Sequence, residues 1–302
     1  MSRARAPGKL VLSGAYAVLS GAPALVVAVD RYALADSARE ATFLAPEVQA
    51  ALGEQPPPWF DANDLRERGQ KLGLGSSAAI LVASLAALEL DQTPGLADGA
   101  LCERVYARAL TAHRTAQGGG SGVDVAASAH GGVLAARRLA DGRTLELSPA
   151  ALPSALVFDV WACSAAASTA AFLARIAEFA ARDAAGHRTC IAAQAEAAER
   201  ALDAAQRGAA LDFVAAIARQ VETLSALGNA ANAAIVTPEL GELAVLARGE
   251  GAAFLPAGAG GGDVAYYVGL QAPSAEFSAR ARALGLTRVE LRLGARGVHS
   301  VA

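Results

Sequence analysis

Apolar positions near the start of the chain fall into two short runs. Lys9-Leu10-Val11-Leu12 is the first, Gly14 and Gly21-Ala22-Pro23 interrupt, and Ala24 through Val29 is the second. Runs of this length bounded by glycine and proline predict strand, turn, strand from Lys9 to about Ala35. Pro56-Pro57-Pro58 marks a loop, with Trp59 and Phe60 as packing residues beyond it. From Leu72 to Leu90 the pattern changes. A Gly-Leu-Gly-Ser-Ser turn runs into Ala78, Ala79, Leu81, Ala83, Leu85, Ala86 and Leu88, a helix-forming stretch with Ser77 as its candidate cap. Helix is also expected over 101–111 and from Val123, after Gly118-Gly119-Gly120-Ser121-Gly122, with a strand over 131–136.

A boundary is expected near Pro149 to Pro153. Alanine-rich helices then dominate from Ala165 to about Leu227, and Ser164 and Ser168-Thr169 read as hydroxyls at a helix start. Thr237-Pro238-Glu239 predicts another start, with Pro238 in the first turn. A glycine run from Gly258 to Asp263 is followed by strand (264–268), helix (275–283) and strand (287–293). Helices mixed with strands in both halves give an α+β class in two domains, 1–150 and 151–302.

Composition narrows the function classes. A formal net charge of −3 supplies no basic field for nucleic acid, and the few aromatics form no stacking stripe. Three cysteines without close pairing, Cys102, Cys163 and Cys190, fit neither a disulfide framework nor a zinc site. His113 and His130 have no zinc spacing with Cys102; His113 is a candidate polar site residue, while His130, His187 and His299 read as structural or solvent-facing. No apolar run is long enough to predict a membrane span, and Lys9, Gly14 and Tyr16 interrupt any export-signal pattern behind Arg3 and Arg5. A cytoplasmic monomer or homodimer is expected. Of 26 basic residues only Lys9 and Lys71 are lysine. An ammonium is a compact point charge, whereas guanidinium is a wide fork, and this chain places its lysines beside its two most suspicious loops.

Three glycine loops are candidates for chemistry. Gly73-Leu74-Gly75-Ser76-Ser77 opens a helix, where backbone N–H groups and the helix dipole favour phosphate. Ser76 or Ser77 adds a hydroxyl for phosphate or magnesium. The loop lacks the lysine of a P-loop and the third glycine of a dinucleotide loop, so an ordinary helix start stays open as the alternative. Gly120-Ser121-Gly122-Val123-Asp124 delivers a carboxylate after a tight turn. It could accept a proton, orient an acceptor or help hold a metal, or simply cap the helix. Gly258 to Asp263 could cradle an anion, or serve as a flexible surface turn with Asp263 ordering it.

Together these pieces resemble the GHMP kinase superfamily: Pro7-Gly8-Lys9, GLGSSAA at 73–79, GSGVD at 120–124 and GAGGGD at 258–263, in order across nearly the whole chain. Within it the match is most like the phosphomevalonate kinases. The resemblance implies a two-domain fold, an N-terminal nucleotide-binding domain followed by a C-terminal ferredoxin-like α/β domain. It implies ATP and Mg2+, with Lys71, Gly73, Leu74, Gly75, Ser76, Ser77 and Ala78 around the nucleotide and Ser76 toward the metal. Lys9 and Asp124 take the catalytic positions. Lys9, His113, Arg114, Gln117, Ser121, Gly122, Gly260 and Gly261 face an anionic acceptor, 5-phosphomevalonate. His113 stands where mevalonate kinases carry a magnesium-binding glutamate. Three departures are evident: Gly14-Ala15-Tyr16 lacks the usual acid, Phe254-Leu255-Pro256-Ala257 lacks a lysine and a serine, and Ala162-Cys163 replaces a Thr-Gly pair. Another GHMP kinase, including a mevalonate kinase, and a non-catalytic metabolite sensor are the alternatives.

Overall fold

The computed structural model describes residues 1–67, 69–163 and 169–301. The chain begins with strand β1 (Arg3–Ser13), a short 3-10 turn (Ala17–Ser20) and the long strand β2 (Pro23–Glu40). Helix α1 (Pro46–Leu52), strand β3 (Pro58–Asp61) and the two-residue strands β4 (Arg66–Glu67) and β5 (Gln70–Lys71) lead into helices α2 (Ser76–Gln92), α3 (Asp98–Gln117) and α4 (Val123–His130). Strands β6 (Val133–Arg138), β7 (Leu145–Pro149) and β8 (Val157–Ala162) precede helices α5 (Thr169–Arg182), α6 (Ala184–Gln206), α7 (Ala210–Ala231) and α8 (Pro238–Gly249). Strands β9 (Ala253–Pro256) and β10 (Val264–Gly269), helix α9 (Ala275–Ala283), and strands β11 (Thr287–Val289) and β12 (His299–Val301) complete the order. One sheet has the strand order β12-β1-β2-β6-β7, with β3 on β2; another has β11-β8-β10-β9.

Contacts divide the chain into two compact units. The first comprises Met1–Leu10, Val26–Leu134 and Leu291–Ala302. Its central helix is α2, where Ala78, Ala79, Leu81, Val82, Ala83, Leu85, Ala86, Ala87 and Leu90 are all buried. A helix apolar on nearly every side must be surrounded, and α1, α3, α4 and β3 pack against it. Helix α3 is one-sided instead: Leu101, Cys102, Val105, Ala109, Ala112 and His113 are buried, on helical spacing. It extends to Gln117, beyond the expected end at Thr111. Trp59 stacks beneath Arg39, the guanidinium carbon 4.0 Å from the ring centroid, and Phe60 meets Phe43 edge-on.

The second unit comprises Val11–Leu25 and Ala135–Glu290. Strands β8, β9, β10 and β11 with the intervening helices follow the β-α-β-β-α-β succession of a ferredoxin-like domain. β10 is buried along its full length and pairs antiparallel with both β8 and β9. Phe277 of α9 sits edge-on to Phe254, Tyr267 and Trp161, with centroids 5.3, 5.1 and 6.1 Å away. Leu240 and Leu243 of α8 close the same core. α8 starts as its sequence predicts, Thr237 accepting a hydrogen bond from the Leu240 N–H at 3.4 Å.

One expected strand is shorter than its pattern. The run 287–293 pairs with β8 only over Thr287–Val289. Arg292 instead donates its N–H to the Asp30 carboxylate at 2.5 Å, and the Asp30 N–H donates to the Arg292 carbonyl at 3.1 Å. The end of that run therefore belongs to the first unit. Among the described residues no helix is long and apolar enough to cross a membrane.

Candidate active site

Gly73 and Gly75 both adopt positive φ, 67° and 75°. Gly75 is the N-cap of α2, and no side chain caps that end. Ser77, the expected cap, lies inside the first turn, because the left-handed glycine turn feeds the chain into the helix without a hydroxyl. The first-turn N–H groups then point out of the helix end, where the dipole favours an anion.

Lys9 reaches this loop from β1. Its N–H donates to the Leu74 carbonyl at 2.8 Å, and its ammonium donates to the Gly73 carbonyl at 3.1 Å. A Cβ at residue 75 would lie 3.1 Å from both Cγ and Cε of Lys9 and 3.7 Å from Cβ of Asp124. The lysine, the glycine loop and the aspartate thus meet within the width of one side chain.

Asp124 sits in the first turn of α4, whose N-cap is Gly122. Capping is therefore not its task, although Oδ1 accepts the Val125 N–H at 3.0 Å. Oδ2 lies 3.2 Å from His113 Nε2; the His113 side chain is 2% exposed and that of Asp124 24%. Burial opposes a charge on His113, yet the Asp124 hydrogen bond and charge, with Glu47 behind them, raise its pKa. Burial also pushes the Asp124 carboxyl up. The His113 hydrogen bond and charge, the Lys9 charge and the Val125 N–H outweigh it and hold the group at about 2.

Glu47 is the residue that the sequence reading missed. It is buried on α1 and accepts a hydrogen bond from Gln117 Nε2 at 3.1 Å. Its helix has only seven residues, too short for a periodic signal, so only its place behind Pro46 hinted at a helix start. One turn earlier on α3, Arg114 donates to the Ser121 carbonyl at 3.4 Å. Gly122 packs beneath, where a Cβ would meet Leu110 Cδ1 at 2.3 Å. Lys9, Gly73, Gly75, His113, Arg114, Gln117, Ser121, Gly122 and Asp124 are thus joined through these contacts. Lys71 is exposed on β5, paired across the strand with Arg66, and joins none of them. Leu74 and Ala78 are buried, so a ligand could meet only their backbone. Ser76 is half-buried at the helix start.

Gly258 to Asp263 lies in the second unit. Gly260 has no room for a side chain: a Cβ would lie 2.3 Å from the Ile235 carbonyl oxygen. Gly261 donates to that same carbonyl at 2.9 Å, and the Asp263 carbonyl accepts the Cys163 N–H at 2.9 Å. The loop is thus anchored at both ends rather than a free surface turn. Tyr16, also in this unit, donates its hydroxyl to the Ala259 carbonyl. Its backbone has φ 64° and ψ −50°, a region costing a non-glycine residue on the order of 1–3 kcal/mol. Ser164 and Ser168 lie outside the described residues, and Thr169 opens α5.

Cys102 Sγ lies 3.3 Å from His130 Nδ1, and Arg5 Nε donates to His299 Nε2 at 2.6 Å. The cysteines are free thiols, and among the described residues no group of three or more His, Cys, Asp or Glu side chains is placed to hold a metal.

No family model matches the chain. It is 27% identical over 337 residues to a phosphomevalonate kinase from Streptomyces sp. (strain CL190), covering 85% of this chain and 87% of the relative. The Lin0012 protein from Listeria innocua superimposes with a TM-score of 0.82 at 22% identity, over 99% of each chain. The Streptococcus pneumoniae phosphomevalonate kinase, solved with phosphomevalonate and AMPPNP, gives 0.75 at 19% identity, over 97% of this chain and 100% of that one. The resemblance to GHMP kinases, and among them to phosphomevalonate kinase, extends along the chain, and the fold is that of the GHMP kinases.

Proposed function

We propose that the chain is an ATP-dependent kinase of the GHMP type that transfers the γ-phosphoryl group to the phosphate of 5-phosphomevalonate, giving 5-diphosphomevalonate and ADP. In this reading the nucleotide domain expected over 1–150 corresponds to the unit of 1–10, 26–134 and 291–302, and the domain expected over 151–302 to the unit of 11–25 and 135–290. The GLGSS backbone and Lys9 present positive charge at a helix start, which suits the phosphates of ATP. Mg2+ takes few protein ligands and shares the phosphate oxygens, a role open to the Ser76 hydroxyl; when bound, it screens charge on the phosphates.

The observation that carries the choice of acceptor is the His113–Asp124 pair, 3.2 Å apart. A general base for an alcohol is tuned upward, toward neutral pH. Asp124 is tuned the other way, to about 2. A phosphate monoester has its second pKa near ~6 and is already mostly dianionic at neutral pH. It needs orientation and charge screening, not deprotonation. Asp124 then holds Lys9 and its own side of the site in register, while Lys9 stabilises charge on the transferring oxygens. Arg114 adds positive charge suited to an anionic acceptor, and burial notwithstanding, the Asp124 hydrogen bond and charge shift His113 toward its charged form.

The test is turnover by the purified protein with Mg-ATP and each acceptor in turn, following ADP and phosphorylated product. Product from 5-phosphomevalonate, with none from mevalonate, is expected. The converse would make the chain a mevalonate kinase. Tight ATP binding without product from any acceptor would make it a sensor. Asp124→Asn should lower turnover while retaining Mg-ATP affinity.

A further inference from the structure

β12 stands at the edge of the larger sheet and has only three residues, paired with β1 in the register Arg3–Val301, Ala4–Ser300 and Arg5–His299. An edge strand this short leans on its cross-strand side-chain pairs. His299 is buried and stands directly opposite Arg5, whose Nε donates to His299 Nε2 at 2.6 Å. A guanidinium donates and never accepts. His299 Nε2 therefore carries no proton. The other ring nitrogen, Nδ1, lies 2.6 Å from the Gly297 carbonyl, which can only accept, so the ring proton is on Nδ1. The two neighbours together fix both the tautomer and the neutral charge of the imidazole.

A second ring proton would have no partner there. Arg5 is itself held, its guanidinium carbon 4.5 Å from the Tyr32 ring centroid, and Tyr32 meets His299 edge-on at 5.8 Å. Protonation of Nε2 would set two donors and two positive charges face to face. The charged groups that act on His299 are Arg5 and Arg296, both cations. Carboxylates on the elements around β12 are engaged elsewhere. Asp36 of β2, Glu89 and Asp91 of α2 and Asp98 of α3 each pair with another cation, and Asp30 of β2 accepts the Arg292 N–H. Burial, with the charges of Arg5 and Arg296, pushes the His299 pKa down against the pull of the Gly297 carbonyl. The residues just ahead of His299 are anchored independently. The Val298 N–H donates to the Ala129 carbonyl at 3.0 Å, and a Cβ at Gly297 would lie 2.3 Å from that same oxygen.

We propose that the Arg5–His299 pair is an acid-sensitive latch: when His299 takes up a second ring proton, its bond to Arg5 is lost and β12 lets go of β1, the strand that also carries Lys9. The anchor at Gly297 and Val298 confines the release to 299–301. With a depressed value in the folded protein, the latch contributes stability that is complete above the usual histidine value. That stability falls away as pH drops below the usual value and is gone below the folded one. The latch lies within the first unit and does not depend on the kinase reading.

The experiment follows the full chain without ligand, beside His299→Gln, which places an uncharged acceptor near the Nε2 position. Nitrogen NMR of the imidazoles, titrated from pH 8 to 4.5, should show His299 as the Nδ1-protonated tautomer at neutral pH, titrating below the usual histidine value. Its signals are identified by their loss in His299→Gln. Amide exchange, corrected for the intrinsic pH dependence, reports opening of the β1–β12 ladder. Between pH 7 and pH 5 opening should rise about tenfold in the wild type, the scale of one lost hydrogen bond to a charged group, with the Val298 amide unchanged. His299→Gln should show no such rise. Wild-type opening independent of pH would overturn the latch, as would a His299 ring protonated on Nε2 at neutral pH. An equal acid response in His299→Gln would place the titrating group elsewhere and overturn it too. Should His299→Gln fail to fold, the wild-type ring signals can be identified by their proximity to the Tyr32 ring protons, and the tautomer and titration then decide.

Discussion

His113 Nε2 lies 3.2 Å from Asp124 Oδ2, with the histidine fully enclosed and the aspartate partly open. Each partner favours the charged form of the other, so the pair is an ion pair over a bounded pH range. His113, with its pKa raised, contributes stability that is complete below the usual histidine value and is lost as pH rises through the folded one. Asp124, depressed to about 2, contributes stability that is complete above the usual aspartate value and is lost as pH falls toward 2. His113→Asn should therefore destabilise the protein by about 1–3 kcal/mol near pH 6, where a charged hydrogen bond is removed. The gap to wild type should narrow as pH rises through the raised folded value of His113. Urea unfolding at pH 6, 7 and 9 measures it, and a gap independent of pH would show that His113 packs but carries no charge.

Gly75→Val should weaken Mg-ATP binding while the protein stays folded. The new Cβ would press on Lys9 at 3.1 Å, and the backbone has φ 75°. A branched residue in that region costs on the order of 1–2 kcal/mol before any ligand is considered. Calorimetric titration with Mg-ATP, beside a thermal melt, separates the two effects. Wild-type affinity in Gly75→Val would remove the loop from nucleotide binding.

Lys9→Met keeps most of the side-chain volume and removes the ammonium that bonds the Gly73 carbonyl. Turnover should fall by about 10²–10³, the scale for losing one preorganised charge at a transferring group. Asp124 should lose part of its stabilisation, since Lys9 is among the charges holding it ionised. Steady-state kinetics on the folded variant decide the matter: wild-type rates would exclude Lys9 from the reaction.

Thr237→Ala serves as a control far from these contacts in sequence. It removes the hydroxyl that caps α8 and should lower stability by about 1 kcal/mol, with KM and kcat unchanged at a temperature where the protein is folded. A matching loss of turnover would mean that stability alone accounts for the effects assigned to the site residues.

Local chemistry sufficed for much of this molecule. Glycines at 73 and 75 are needed where φ is positive, and alanine-rich segments favour helix, so the loop-then-helix reading of 72–90 follows from neighbours in the chain. Thr237-Pro238 starts α8 and residues 275–283 form α9 for the same reason. Elements whose partners are distant in sequence were not legible. β12 is only three residues long and exists because Arg3, Ala4 and Arg5 pair with it from the other end of the chain. Glu47 has no local signal; burial beside Gln117 and His113 gives it a part in the electrostatics. Read along the chain alone, the residues that could carry the chemistry stand out: two lysines, three glycine loops, one aspartate after a turn. Folding in three dimensions is what makes His113 the partner of Asp124, sets Lys9 against Gly75, and holds Tyr16 in a strained turn against Ala259. Hydrogen bonds and charge pairs act over a few ångströms of space, and the separation along the chain of the groups they join leaves no periodic trace.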